Sequence, residues 1–485
     1  MKIYSVRITN IKIKNFKNTL NGSVSLCNLR KAYKASVLGI YGQNGSGKTA
    51  LIDSISLLKD ILTGSKIKNF YSKYINLNES NTSKASSFSF DFLLTNGDEE
   101  IPVTYSFSLK ADENRIDNLE NSDINSSSLK VSIIDESIAC PIFSDSDKRI
   151  KREFLKEDQS QILWPKSRKD FLLGTCNNSN RIETDLIVAK ELAYEDSSSF
   201  LFSRRFLKLL RDREEQLKND KKYEEYSYYR SIFENLVNYG HYGLFVINTA
   251  SSSLLSLNVQ TLNFKYNDSL TKTVGRIALP LDKESILVKN REFNVIDKVI
   301  KNLNIVLNKI IPGLTVSVKK LGKAHLEDGE IGYKIQLLSL RSGKEIPLSF
   351  ESEGIKKIIS FLQLLIAVYN ESSITLVVDE LDSGIFEYLL GELLSIVSEK
   401  GKGQLIFTSH NLRPLETLDK GFIAFTTINP NNRYVKLTNV KSTNNLRDMY
   451  YKNLILGEYR DDLYDLTNNS EIALAFRDVG KDSVM

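Results

Sequence analysis

A glycine-rich segment at residues 42–49 carries the clearest chemical signal in this sequence. It runs GQNGSGKT, fits the pattern G-x-x-x-x-G-K-[ST], and lies between an apolar run and a helical pattern, a setting that an ordinary glycine-rich turn would not need. Glycines let successive backbone N–H groups point into one concavity that binds phosphate oxygens, and the N-terminus of the following helix adds partial positive charge. The residues expected to contact a nucleotide are Gly42, Asn44, Gly45, Ser46, Gly47, Lys48 and Thr49. Lys48 would reach the β- and γ-phosphates, and Thr49 would ligate Mg²⁺.

Two carboxylates end a second apolar run, TLVVDE at 375–380. A buried strand delivers such acids to the carboxyl edge of a parallel sheet, where nucleotides bind. Asp379 would then hold Mg²⁺ through water, and Glu380 would orient and deprotonate the attacking water. Alone, this pattern could be merely the end of a strand. Together with the glycine-rich segment it predicts ATP hydrolysis with ATP and Mg²⁺ as cofactors.

His410 follows a third apolar run, QLIFT at 404–408, about one helix and one loop after Glu380. A neutral imidazole at that position could contact the γ-phosphate or the attacking water. An isolated histidine is more often a surface residue, and we interpret His241 and His325 in that way. The position of His410 after the acids favours a catalytic role.

The elements around these residues predict an α/β fold. The apolar run at 37–41 predicts a strand and 50–58 a helix, so the glycine-rich segment joins strand to helix. Alternating residues from 87 to 110, interrupted by Asn96-Gly97, predict a β-hairpin. The region from 185 to 238 is charged and helical in pattern, and 112–127 is rich in Asn, Asp and Ser and predicts a surface loop.

Bulk composition excludes few classes of protein. The chain has 485 residues, 41% hydrophobic and 26% charged, with a net charge of +5 that permits a nucleic-acid partner without indicating one. Cys27, Cys140 and Cys176 are odd in number and widely spaced, which argues against a disulfide framework and favours the cytoplasm. No secretion signal or apolar run of membrane-spanning length is found, so no membrane association is expected.

Further motifs extend the pattern. Residues 351–354 run ESEG, Asp379-Glu380 is followed by Leu381-Asp382-Ser383, and Ser409 precedes His410. In this order, the motifs resemble the ABC ATPase head shared by transporters, SMC-like proteins and RecF-like repair proteins. The chain most resembles the bacterial ATP-binding proteins of the overcoming-lysogenization-defect and abortive-infection group. The resemblance covers about 1–60 and 296–440.

This resemblance implies a homodimer, or a higher oligomer, with nucleotide between the copies. Ser352 and Gly354 would begin a helix and bind the γ-phosphate held by the opposite copy, although Ser352 could also be a plain helix N-cap. Asp382 and Ser383 would lie at the dimer seam and couple the two sites.

The sequence departs from the family pattern in three places. Glu353 stands where the signature has its first glycine, and Gly384-Ile385-Phe386 replaces a histidine that many relatives carry. The glutamine that senses Mg²⁺ has only weak candidates, Gln159 and Gln161.

The expected fold class is an α/β, ABC-type P-loop ATPase head, with a mixed sheet, flanking helices and an antiparallel β subdomain, plus an inserted helical region. The expected domains are an N-terminal part of the head at 1–150, an inserted, mainly helical sensing or effector region at 151–295, a C-terminal part of the head at 296–440, and a helical tail at 441–485.

Three functions fit these motifs. The leading hypothesis is a bacterial anti-phage ATPase acting with a separate effector, such as a nuclease or toxin. Several relatives carry a nuclease domain of the TOPRIM type, but too few residues follow His410 for one, and the main acidic cluster there is Asp461, Asp462 and Asp465.

The alternative is a DNA-repair ATPase that clamps DNA, suggested by the basic residues from Arg204 to Lys222. Neighbouring acids largely cancel that charge, so a solvated helix face is the simpler interpretation. A transporter subunit is disfavoured by the bulky insert and the altered signature.

Overall fold

The computed structural model describes most of the chain. The described residues are 3–27, 35–76, 84–112, 129–142, 150–158, 162–174, 179–248, 259–267, 272–281, 285–326, 329–341, 343–437, 445–456, 463–464 and 468–482.

The strands, in chain order, are β1 (Ser5–Phe16), β2 (Thr19–Ser25), β3 (Ser36–Tyr41), β4 (Ala85–Asn96), β5 (Glu99–Ala111), β6 (Val131–Ile142), β7 (Ile150–Lys156), β8 (Leu244–Ile247), β9 (Val259–Asn267), β10 (Lys272–Pro280), β11 (Ile286–Lys289), β12 (Leu314–His325), β13 (Ile331–Arg341), β14 (Lys344–Pro347), β15 (Thr375–Val378), β16 (Gln404–Thr408), β17 (Ile423–Thr426) and β18 (Tyr434–Val435).

The α-helices, in chain order, are α1 (Lys48–Leu62), α2 (Lys166–Leu173), α3 (Ser179–Glu195), α4 (Arg204–Leu217), α5 (Tyr223–Tyr242), α6 (Asn290–Ile310), α7 (Glu353–Asn370), α8 (Glu387–Lys400), α9 (Arg413–Thr417), α10 (Leu446–Leu456) and α11 (Asn469–Asp482). Short 3₁₀ helices lie at Asn69–Tyr74, Leu348–Phe350 and Lys420–Phe422.

A six-stranded sheet in the order β18-β17-β3-β16-β15-β8 forms the centre of the fold. Its strands pair in parallel, except for the edge strand β18. The strands β3, β15 and β16 are short and apolar because both faces of a parallel sheet are covered by other elements. Their carboxyl ends therefore meet at one edge, as the sequence predicts.

The edge strand β8 belongs to the central sheet, which the sequence did not predict. It falls within 151–295, the predicted inserted region, but its residues pair with those of β15, including Ile247 with Val378. An apolar run of four residues directly after a long helix is too short to reveal a periodicity. The sequence alone therefore does not distinguish a central strand here from a continued helical region. Between β7, which ends at Lys156, and β8, the described residues of this region form the helices α2 to α5.

A second six-stranded sheet is antiparallel, in the order β2-β1-β4-β5-β6-β7. The predicted hairpin is present as β4 and β5, which pair from Ala85 and Lys110 to Asn96 and Glu99. Inward-facing aromatic rings join its strands, with Phe88 stacked on Phe107 at 5.0 Å between ring centroids. Elsewhere, β11, β13, β12 and β14 form a smaller sheet, and β9 pairs with β10.

Two apolar clusters cover the faces of the central sheet. Alternate residues of the strands enter each cluster, so Leu38 and Ile406 face one and Val37 and Phe407 face the other. The first cluster holds α1, α5 and the antiparallel sheet, and the second holds α6, α7 and α8. The expected α/β class, with a mixed sheet, flanking helices and an antiparallel β subdomain, is confirmed. Within the described part of the chain, no helix is both long and apolar enough to cross a membrane.

Candidate functional site

A cavity of about 330 Å³ opens at the carboxyl edge of the central sheet. It brings together residues that are far apart in sequence, because β3, β15 and β16 end side by side. Its lining is Lys17, Asn18, Asn44, Gly45, Gly47, Lys48, Thr49, Ala50, Asp379, Glu380, Thr408 and His410. The predicted phosphate loop, both predicted acids and the predicted histidine thus share one cleft.

The glycine-rich loop connects β3 to α1 in the expected way. Gly47 has a φ of 103° and forms the N-cap of α1, a conformation that side chains other than glycine rarely adopt. Gly42 lies so close to β17 that an added β-carbon would be 1.8 Å from Thr426 Oγ1. The loop therefore needs glycine at these two positions for backbone shape and for space.

Lys48 is buried at 7% exposure and folds back over its own loop. Its Nζ donates to the carbonyl oxygens of Gly42 at 2.7 Å and Gln43 at 3.0 Å. Burial lowers the pKa of Lys48, while the charges of Asp379 and Glu380 act to raise it. A buried ammonium group between carbonyl oxygens and carboxylates forms a cationic centre that a phosphate can approach.

Contacts that the sequence did not predict hold the loop from outside. Ser46 Oγ hydrogen bonds to Thr426 Oγ1, and Tyr434 Oη donates to the carbonyl of Gly47 at 2.8 Å. Asn18 Nδ2 donates to the carbonyl of Gly45, and Arg433 in turn donates to the carbonyl of Asn18. The loop is therefore fixed by the segment after β1 and by β17 and β18.

The acids at the end of β15 share one hydroxyl partner. Thr408 Oγ1 donates to Asp379 Oδ1 at 2.6 Å and accepts from the backbone N–H of Glu380 at 2.7 Å. Asp379 is 2% exposed, whereas Glu380 is exposed to the cavity. Thr408 thus orients both acids from the neighbouring strand, a role that nothing in its local sequence indicated.

His410 stands at the rim of the cavity, on a turn held by Asp382. Asp382 Oδ2 accepts from the backbone N–H of His410 at 3.0 Å and from that of Asn411 at 2.9 Å. Within one chain, Asp382 therefore shapes the segment that presents the histidine. Its neighbour Ser383 is exposed on the same loop.

Lys17 was not predicted as a site residue. It directly follows β1 and lines the cavity. Its ammonium group pairs with Asp53 of α1 and lies over the ring of Tyr74, with 4.1 Å from Nζ to the ring centroid. Its φ of 52° places it in a tight turn after β1. In the sequence, only the basic character of this turn indicates that Lys17 could belong to the site.

The predicted signature residues lie elsewhere on the same chain. Ser352 is the N-cap of α7 and its Oγ accepts from the backbone N–H of Ile355 at 3.4 Å, so the expected helix start is present. Neither Ser352 nor Gly354 lines the cavity described above. Ser352 is exposed, and Gly354 packs on Gly384 in the loop after the acids.

Thr49 and Asp379 suit the Mg²⁺ ion that such a site implies. Both line the cavity, one with a hydroxyl and the other with a buried carboxylate. Oxygen donors of this kind are the ligands that Mg²⁺ prefers, together with water and substrate phosphates. In the described residues there is no larger cluster of His, Cys, Asp and Glu side chains that could hold a metal ion by itself.

Some predictions concern residues outside the described part of the chain. These are the loop at 113–127, Gln159, Gln161, Cys176, Asp461, Asp462 and Asp465.

The basic segment beginning at Arg204 lies mostly on α4, where ion pairs join Arg211 to Glu234 and Lys218 to Glu215. The Lys218–Glu215 pair is exposed on both sides, as is typical of a solvated helix face, whereas the side chain of Glu234 is only 13% exposed.

Residues 37–416 match the model of one protein family, described as AAA domain, putative AbiEii toxin, Type IV TA system. No curated protein matches the sequence. Among solved structures, the SMC head domain from Thermotoga maritima is 14% identical, with a TM-score of 0.38, covering 89% of this chain and 99% of that one. The Smc head domain bound to the C-terminal domain of ScpA, from Pyrococcus furiosus, is 13% identical with a TM-score of 0.40, covering 89% and 96%.

Proposed function

The chain belongs to the family of AAA domains described as putative AbiEii toxin of a type IV TA system, and from that premise we propose that it is an ABC-type ATPase working as a homodimer. Membership makes it a P-loop ATPase in general terms. The observation that carries the proposal is the single cavity in which Lys48, Thr49, Asp379, Glu380 and His410 meet.

Each of these five residues has a role in hydrolysis. The backbone N–H groups of the loop and Lys48 bind the phosphates of ATP, and Thr49 with Asp379 holds Mg²⁺, which neutralises charge on the phosphates when bound. Glu380 orients the attacking water and accepts its proton. His410, at the rim, contacts the γ-phosphate or that water.

A second copy completes the site. Ser352 is exposed at the N-terminus of a long helix, outside the cavity of its own chain, so its hydroxyl and the adjacent backbone N–H groups can bind a γ-phosphate only on another molecule. Gly354 allows this helix to approach the loop of Asp382 and Ser383. These two residues would lie at the interface between the two copies and couple the two nucleotide sites. The dimer thus closes on ATP and opens after hydrolysis.

The biological role that fits best is a cytoplasmic sensor or regulator ATPase of an anti-phage, abortive-infection system. The family description supports such a role. In this proposal, the helical region of α2–α5 senses a phage trigger or holds a separate effector, such as a nuclease or toxin. Closure and opening of the dimer set the release of that effector.

Two measurements test the proposal. Purified wild-type protein should hydrolyse ATP with Mg²⁺, Lys48→Met should not, and the exposed Lys400→Met should match wild type. In cells challenged with phage, wild type with its neighbouring genes should protect and Lys48→Met should not. DNA binding that requires ATP and weakens with salt would favour the DNA clamp instead, and hydrolysis unaffected by Lys48→Met would refute the site.

A further inference from the structure

The backbone of Glu380 adopts an unusual conformation that its surroundings hold in place. Its φ is 51°, in the left-handed region that residues other than glycine rarely adopt. Its N–H donates to Thr408 Oγ1, as described above. Its carbonyl oxygen accepts from the N–H of Ser383 at 3.2 Å and from Nζ of Lys357. This conformation directs the Glu380 side chain into the nucleotide cavity.

Lys357 reaches Glu380 from the helix that carries the signature. It lies five positions after Ser352 in α7 and is 7% exposed. Burial lowers the pKa of Lys357, and the carboxylates of Asp382, Glu380 and Asp379 oppose that change. The hydrogen bond of its ammonium group is made to the backbone carbonyl of Glu380. The group therefore fixes the main chain of Glu380 and leaves the carboxylate available.

The first turns of α7 touch the loop after β15 at two places. Gly354 packs on Gly384, and Lys357 bonds to Glu380. A displacement of the N-terminus of α7 would therefore move the backbone that aims Glu380. The exposed end of this helix is the part that the proposed function brings to the nucleotide of the second copy.

We propose that Lys357 is a positioning residue that couples Ser352, in contact with ATP on the second copy, to the water-orienting Glu380 of its own chain. The inference rests on the proposed function. Hydrolysis at each site then depends on nucleotide at the other, because the same helix contacts one site and aims the acid of the other. Lys357 itself touches neither water nor phosphate.

The neighbouring Lys356 provides a matched control. It is equally buried, on the same turn of α7, but its Nζ donates to the carbonyl of Ser349, in the short helix before the signature. Loss of Lys356 removes a buried lysine without touching Glu380. Lys357→Arg keeps the charge and a donor, and tests whether position and charge suffice.

The experiment measures steady-state ATP hydrolysis, ATP-dependent dimerisation and thermal unfolding for Lys357→Met, Lys357→Arg and Lys356→Met. We expect Lys357→Met to lower kcat by about 100-fold, since small misplacement of a catalytic group has effects of that size. KM for ATP and the ATP-dependent dimer should persist, and cooperativity in ATP should disappear. Lys357→Arg should recover most of kcat, and Lys356→Met should resemble wild type.

Three results would overturn the inference: a kcat for Lys357→Met near that of wild type, an equal fall for both lysine variants, or an unchanged cooperativity. If Lys357→Met does not fold, failure of the folded Lys357→Arg protein to hydrolyse ATP cooperatively would also overturn it. A wild-type protein that neither hydrolyses ATP nor dimerises would instead refute the proposed function, so the two failures are distinguishable.

Discussion

Gly354 and Gly384 pack backbone against backbone, so that a β-carbon on Gly354 would lie 1.8 Å from the carbonyl oxygen of Gly384. This contact joins the first turn of α7 to the loop that follows the two acids. It also explains why the signature keeps one glycine although Glu353 stands in the place of the other. Space at this junction, and not flexibility, is what the glycine supplies.

Gly354→Ala should therefore abolish ATP-dependent dimerisation and hydrolysis while leaving ATP binding to the single chain intact. Alanine is a better helix former than glycine by about 1 kcal/mol, so any loss must come from the clash and not from the helix itself. Binding of labelled ATP and the rate of ATP turnover, measured on the same protein, separate a loss of nucleotide binding from a loss of hydrolysis. Gly322→Ala is the control, because nothing lies within 4 Å of a β-carbon there. Turnover by Gly354→Ala at the wild-type rate would contradict this account of the junction.

Thr408→Val should lower ATP turnover and protein stability together. The change removes a hydroxyl that bonds both to Asp379 and to the N–H of Glu380, and leaves buried polar atoms without that partner, at a cost of about 1–3 kcal/mol. Chemical denaturation and steady-state kinetics measure the two effects. Thr417→Val, which loses only a long bond to the carbonyl of Arg413, should change stability by less than about 0.5 kcal/mol. Equal behaviour of the two variants would show that Thr408 does not orient the acids.

The buried carboxyl group of Glu136 should make the stability of the protein depend on pH. Burial raises the pKa of this carboxyl group in β6 to about 7, although Ser199 and the N–H of Phe200 donate to it at 2.6 Å each. The pKa of Glu136 in the folded protein lies above its ordinary value. Its contribution to the free energy of unfolding is therefore fully present below about pH 4.5 and is lost as the pH rises through about 7.

Glu136→Gln cannot ionise, so the melting temperature of this variant should fall less than that of wild type between about pH 5 and about pH 8. The difference between the two curves isolates Glu136 from other titrating groups. A constant difference across this range would contradict the predicted ionisation.

Features set by neighbouring residues in the sequence could be predicted, whereas contacts between residues far apart in the sequence could not. The phosphate loop, the hairpin and the acids after β15 were predicted because each depends on a strand, turn or helix pattern within a few residues. Thr408 acts on Asp379 29 positions away, and Arg433 acts on Asn18 415 positions away, so only the folded sheet brings them together. The short strand β8 was missed for the related reason that its identity comes from pairing with β15.

The most direct test of the shared nucleotide site is the molar mass of Glu380→Gln in solution, because this variant should bind ATP without hydrolysing it. Light scattering should give one chain mass, 55.1 kDa, without nucleotide and twice that mass with ATP and Mg²⁺. Adding Ser352→Ala should weaken that association, whereas Lys48→Met should prevent it. A mass that stays at one chain while ATP is demonstrably bound would contradict the account.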